Sequence, residues 1–152
     1  MNLKQRHIRG LLLGCLLVGL AGCEAHRDVS PILPGEQAVL VISFSPSPVY
    51  ESSDGRFHFL VFVDEVNNVG ARMSSVKLEN LDADGTIVDT DRHDEAWIRQ
   101  TFGNSYIEPF GRLIGSVELE VYNSTRETWW LRGTDDNGYS FDYQGSVELI
   151  SR

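Results

Sequence analysis

Beyond Cys23 the chain nowhere keeps a helical period for three turns. Its apolar residues come in short alternating runs, punctuated by Gly, Pro, Asn and Asp. Successive side chains of a strand point to opposite faces, so alternation marks a β-strand with one face buried. Residues 38–44 form a β-branched run bounded by Gly35 and by Pro46 and Pro48. Residues 56–66 are stronger: Phe57, Phe59, Val61 and Val63 share one face, with His58, Leu60 and Phe62 on the other. Apolar residues on both faces predict a central strand.

Farther along, Val76, Leu78 and Asn80 alternate with Lys77 and Glu79, and Asp82-Ala83-Asp84-Gly85 turns the chain into Thr86-Ile87-Val88. Residues 97–102 read as a weaker strand. A loop over residues 107–111 precedes Val117, Leu119 and Val121, which alternate with Glu118 and Glu120. Residues 128–134 and 139–143 flank Asp136-Asn137-Gly138, and Asn-Gly between alternating runs is the strongest short-range hairpin signal. Residues 147–150 close the domain. The expected fold class is therefore all-β, a single antiparallel sandwich of about seven to eight strands. Pro109-Phe110-Gly111 before a long strand, and a strand ending in Gly133-Thr134-Asp135-Asp136-Asn137-Gly138, resemble the last three strands of bacterial immunoglobulin-like domains of the fibronectin type III kind. That resemblance implies an immunoglobulin-like β-sandwich over residues 36–152. It rests on turns and alternation, and the cysteine pair of antibody domains is absent.

The N-terminus carries a different signal. Lys4, Arg6 and Arg9 are basic, the stretch from Gly10 to Leu20 is almost wholly apolar, and Ala21 and Gly22 lead into Cys23. A charged start, a short apolar stretch and a small-residue exit describe a secretory signal peptide. The apolar stretch is shorter than the roughly 20 residues of a membrane span. Leu20-Ala21-Gly22-Cys23 resembles the lipobox of bacterial lipoproteins, which implies cleavage before Cys23, lipid on its thiol and anchorage in a membrane. Cys15 follows Leu12-Leu13-Gly14, but cleavage there would leave a very short apolar core, so Cys23 is the better site. Glu24, rather than aspartate, follows the cysteine. In the sorting rule of Gram-negative lipoproteins this implies the outer membrane, facing the periplasm or the cell surface. The expected organisation is a signal peptide over 1–22, a lipidated N-terminus and tether over 23–35, and one β domain over 36–152.

Composition narrows the functional classes. Both cysteines lie at or before the anchor, which excludes thiol catalysis and thiolate metal sites from the domain. All 22 acidic residues follow Cys23, against ten of the 13 basic ones. Nucleic-acid binding wants a basic face, so no nucleic-acid partner is expected. No Gly-x-Ser-x-Gly or Gly-Lys-Ser/Thr loop appears, no histidine pair has zinc spacing, and the expectation is a protein that is not an enzyme.

Two constellations remain. Asp82, Asp84, Asp89 and Asp91, with Asp94 and Glu95, offer oxygens of the kind calcium takes. Their spacing is not that of an EF-hand, and Asp-x-Asp-Gly is equally a plain turn. If Trp129 and Leu131 face the core, Trp130 shares the outer face with Arg132 and Thr134, a pairing typical of binding hot spots. The leading expectation is a lipid-anchored envelope protein with a non-enzymatic interaction or structural module. It would be held to the membrane through Cys23 and meet an envelope protein or glycan. The alternatives are a carbohydrate-binding module using exposed aromatics and a calcium-stabilised adhesion module. No cofactor is expected beyond that candidate calcium.

Overall fold

The computed structural model describes residues 32–152, so the expected signal peptide, Cys23 and most of the tether lie outside the described residues. Strands dominate, in two sheets. Strands β1 (Leu40–Ser45), β3 (Phe57–Glu65) and β7 (Arg112–Leu119) form one, in the order β1-β3-β7. The larger sheet runs β2-β9-β8-β4-β5. Its members are β2 (Val49–Tyr50), β4 (Ala71–Leu81), β5 (Ile87–Asp94), β8 (Arg126–Asp135) and β9 (Ser140–Ile150), and the short β6 (Tyr106–Ile107) pairs with β4. All pairings are antiparallel except that of β2 with β9.

The buried faces of the two sheets share one core. Phe57, Phe59, Val61 and Val63 of the small sheet join Val76, Leu78, Trp129, Leu131, Val147 and Leu149 of the large one. Trp129 is fully buried, with the rings of Phe44, Trp97 and Phe102 at 6.1–6.4 Å from its own. Strand β3 is central, as its sequence predicts, but because β1 and β7 pair with it on either side. Its second face is not covered: His58 and Leu60 are exposed, alongside Val41 and Ile114 of the neighbouring strands.

Residues 97–102 are helical, which corrects the expected strand. Helix α1 spans Glu95–Phe102. The Asp94 carboxylate accepts hydrogen bonds from the backbone N–H groups of Ala96 (3.0 Å) and Trp97 (3.1 Å). Gly103 ends the helix in the left-handed region at φ 77°. One turn apart, Ile98 and Phe102 point into the core. The sequence signal was therefore in the caps, because two buried residues in two turns leave too little period to detect. Asp94→Ala is expected to cost about 1 kcal/mol, read as a lower denaturation midpoint with the β-sheet circular dichroism retained.

Two more boundaries differ. Residues 147–150 do not form a separate strand: β9 runs unbroken through Gly145, where a side chain would strike Ile42 of β1. Residues 33–35, expected at the end of the tether, are bound to the domain together with Glu36 and Gln37. The Asn67 side chain donates to the carbonyls of Leu33 (2.9 Å) and Gln37 (2.7 Å), and that of Asn137 to those of Gly35 and Glu36. Two buried carboxylates complete the clamp: Asp135 accepts from the Ala38 N–H at 3.0 Å and Glu65 from that of Val39 at 3.2 Å. The chain thus enters beside loop 66–70 and hairpin 136–139, here called the entry pole. Since β4 begins opposite Asp135 and ends opposite Arg126, the turn at 82–86 and the loop 120–125 lie at the far pole. Strand rise places it roughly 30 Å away.

Candidate functional site

Each constellation named from the sequence has a definite place. Trp130 lies on the outer face of the large sheet together with Arg132 and Thr134, while Trp129 and Leu131 are buried. Trp130 is half-buried and already engaged. Its Nε1 donates to Glu79 at 2.8 Å, and the Lys77 ammonium lies 4.6 Å from the ring centroid. Lys77 also donates to Glu79 at 2.8 Å, which holds that carboxyl below its ordinary range against the opposing effect of burial. Arg132 pairs with Asp142 at 2.8 Å in the open. The outer face is thus a set of internally satisfied pairs.

The proposed calcium ligands are not brought together. Asp82 closes its own turn, accepting from the N–H groups of Asp84 (3.0 Å) and Thr86 (2.8 Å). Asp94 caps α1, and Glu95 accepts from Arg99 at 2.7 Å and from Ser105 at 2.8 Å. Among the described residues no three carboxylate, imidazole or thiolate groups converge as a metal would require. Asp91 lies exposed opposite Leu78, and Asp89 belongs to a different assembly on β5.

That assembly is a polar row. The strand registers set Glu127 of β8 opposite Asn80 of β4, and Asn80 opposite Asp89 of β5, so the three form a line across the large sheet. Asn80 is 1% and Glu127 0% exposed. Both carry an oxygen, Oδ1 and Oε2 respectively, with no hydrogen-bond partner among the described residues. Buried polar atoms are normally paired, and leaving one unpaired costs roughly 1–3 kcal/mol. The contrast with the entry pole is instructive, because Glu65 and Asp135 there accept several backbone donors. Among the described residues Glu127 receives only the Trp129 indole N–H, at 2.5 Å. Burial pushes its carboxyl up to about 7; that hydrogen bond works the other way, and the charge of Asp91 adds to the rise.

Beside Asn80 the two sheets leave a cleft of about 220 Å³, lined by Asn80, Val88, Asp89, Glu120, Val121 and Tyr122. Its origin is geometric. Helix α1 packs between β5 and β7, but eight residues of helix span only about 12 Å. Strands β5 and β7, of eight residues each, span about twice that. The half of this side nearest the far pole therefore stays open. Sequence reasoning placed Asn80 inward but missed Glu127. The signal was present: Glu127 has the same parity as Trp129 and Leu131, so a buried Trp129 requires a buried Glu127.

No family model and no curated protein matches the chain. Among solved structures, the putative ApaA protein from Bordetella pertussis is similar over 78% of this chain and 98% of that one, at 14% identity and a TM-score of 0.50. That likeness concerns the fold alone. The alkylpurine DNA glycosylase AlkC of Pseudomonas fluorescens, bound to DNA, is matched over 32% of its length (TM-score 0.38, 10% identity, 76% of this chain). A β-glucosidase from Listeria innocua is matched over 16% (TM-score 0.34, 11% identity, 74% of this chain). These small shares carry no functional argument.

Proposed function

We propose that the chain is a lipid-anchored protein of a bacterial cell envelope whose immunoglobulin-like β-sandwich holds a partner and performs no reaction. The observation that carries this reading is the polarity of the domain. The chain from Cys23 enters at one pole, fixed by Asn67, Asn137, Glu65 and Asp135, and the open cleft lies toward the other. A membrane anchor at the entry pole leaves the far pole facing away from the lipid. Residues between Cys23 and Leu33 reach at most roughly 35 Å when extended, so the domain stays close to its membrane. The strand order, with β1-β3-β7 against β2-β9-β8-β4-β5, supports the fibronectin type III-like arrangement that the turns of the sequence imply.

The outer face with Trp130 and Arg132 is the weaker candidate for the contact, since its donors and acceptors are paired within the domain. The far-pole cleft, open and bordered by the exposed Asp89, Glu120 and Tyr122, is the stronger. The anchor is tested by metabolic labelling with a clickable fatty acid in cells making wild type or Cys23→Ser. Label is expected in the wild type and absent from the variant, and label persisting in Cys23→Ser would disprove attachment at that residue.

A further inference from the structure

The two poles of the domain differ in what their loops carry. At the entry pole, segments 32–35, 66–70, 109–111 and 137–139 hold no charged residue. At the far pole the turn 82–86 carries Asp82 and Asp84, and the loop 120–125 carries Glu120. The loop 51–56, joined to that end through the bond from the Glu51 N–H to the Ile150 carbonyl, carries Glu51 and Asp54. The uncharged loops are also apolar where they meet solvent. Leu33 is 61%, Val66 49% and Phe110 67% exposed. These three sit on segments tied to one another. The Asn67 side chain donates to the Leu33 carbonyl at 2.9 Å, and the Glu65 carboxylate accepts from the N–H groups of Asn67 (2.8 Å) and Phe110 (2.9 Å). Of the acids at the margin, Glu108 is open to solvent. Glu36 and Asp136 are engaged, accepting from the Leu33 N–H at 3.1 Å and the Tyr106 hydroxyl at 2.7 Å.

Phe110 gives the patch a second, independent mark. Its backbone stands at φ 56°, in the left-handed region that suits glycine or asparagine and disfavours a bulky side chain. Its ring takes no part in the core. Neither packing nor turn geometry therefore accounts for a phenylalanine there, and such outliers gather where a surface has work to do. Grouped exposed apolar residues mark an interaction surface. The chain itself says what lies opposite: it runs from this pole to Cys23 over at most roughly 35 Å. A link that short makes docking intramolecular, at an effective concentration on the order of millimolar, so a weak surface affinity suffices.

We propose that the entry pole rests on the lipid bilayer, with Leu33, Val66 and Phe110 seated among the headgroups and upper acyl chains. The inference rests on the lipid-anchor reading and extends it, from a domain held near the membrane to one that sits on it in a fixed orientation. Lipid fits this pole because an uncharged apolar surface gains from entering the interfacial layer. The exposed Ile87, Val88 and Tyr122 of the far pole lie among carboxylates, which anionic headgroups repel. Docking thus aims the far-pole cleft away from the lipid.

Under the lipoprotein reading the mature chain has no free thiol, so one introduced cysteine takes a nitroxide label alone. Leu33→Cys, Val66→Cys and Phe110→Cys mark the entry pole, and Asp84→Cys and Tyr122→Cys the far pole. Each full-length protein, processed and lipidated in cells, is reconstituted into vesicles of phosphatidylethanolamine with a minor share of phosphatidylglycerol. Flotation reports the anchor, and collision of the label with dioxygen or with a water-soluble nickel chelate reports its depth. Entry-pole labels are expected to favour dioxygen and to lose nickel collisions several-fold against far-pole labels. Val66→Asn with Phe110→Asn removes the apolar contact without opposing the backbone, since asparagine tolerates the left-handed region. In that background the label at 33 should regain the nickel accessibility of the far pole; should the double variant fail to fold, the five labels decide alone. Flotation with entry-pole labels as open to nickel as far-pole ones would overturn the docking and leave the anchor standing. Far-pole labels in lipid would overturn it too. Failure to float would sink the anchor, and the docking with it.

Discussion

Trp129→Ala is expected to lower the stability of the domain by roughly 3–5 kcal/mol, the range for removing a buried aromatic ring. Trp129 is wholly buried, and its indole touches the small sheet through Phe44 and α1 through Trp97 and Phe102. Removing it opens a void at the junction of three elements. It also deprives Glu127 of the indole N–H that its carboxyl accepts from. Against a total stability of about 5–15 kcal/mol, the loss is a large fraction. Trp129→Phe separates the two effects: it keeps most of the ring and removes only the N–H, so a smaller loss is expected, with the Glu127 carboxyl pushed higher still. Urea denaturation followed by circular dichroism measures both. A loss below about 1.5 kcal/mol for the alanine variant would be too small for a ring in this position.

The second large effect concerns pH. The Glu127 carboxyl is raised from its ordinary 4.5 to about 7, chiefly by burial. The folded state therefore keeps its proton over a range in which the unfolded chain has lost it. Stability falls as pH rises between about 4.5 and 7 and is level above, the opposite of a salt-bridged carboxylate. The interval from pH 5 to pH 8 should cost the wild type about 2–3 kcal/mol through this residue. Glu127→Gln keeps an acceptor for the Trp129 indole and carries no charge at any pH. Its stability should lack that decline, so the variant gains on the wild type by about the same 2–3 kcal/mol between the two pH values. Denaturation midpoints at pH 5 and pH 8, measured on both proteins, give the comparison directly. Contributions from other titrating groups are common to both and cancel. An identical pH profile for the two proteins would mean that the Glu127 carboxyl titrates as it does in water.

Glu127 differs in kind from Glu65 and Asp135, which accept several backbone donors at the entry pole. Its Oε2 and the Asn80 Oδ1, on residues opposite each other in the β8–β4 register, have no partner among the described residues, which is costly in a buried place.

Local periodicity settled much of the fold. The alternation of Phe57 to Val63 fixed both the existence of β3 and its inward face, and Asp136-Asn137-Gly138 fixed the β8–β9 hairpin. These features depend on contacts within a few residues, which a single sequence carries. The same parity that buries Trp129 also commits Glu127 to the interior. What only the tertiary structure decided is which strands stand side by side. Glu127, Asn80 and Asp89 are far apart in the chain, and it is the β8-β4-β5 order and its register that set them in one row. Helix α1 shows the same division. Asp94 and Gly103 are legible caps, but two turns of helix have no stability of their own. Only the edge between β5 and β7, and the buried side of Trp129, make residues 95–102 helical and leave the rest of that edge open.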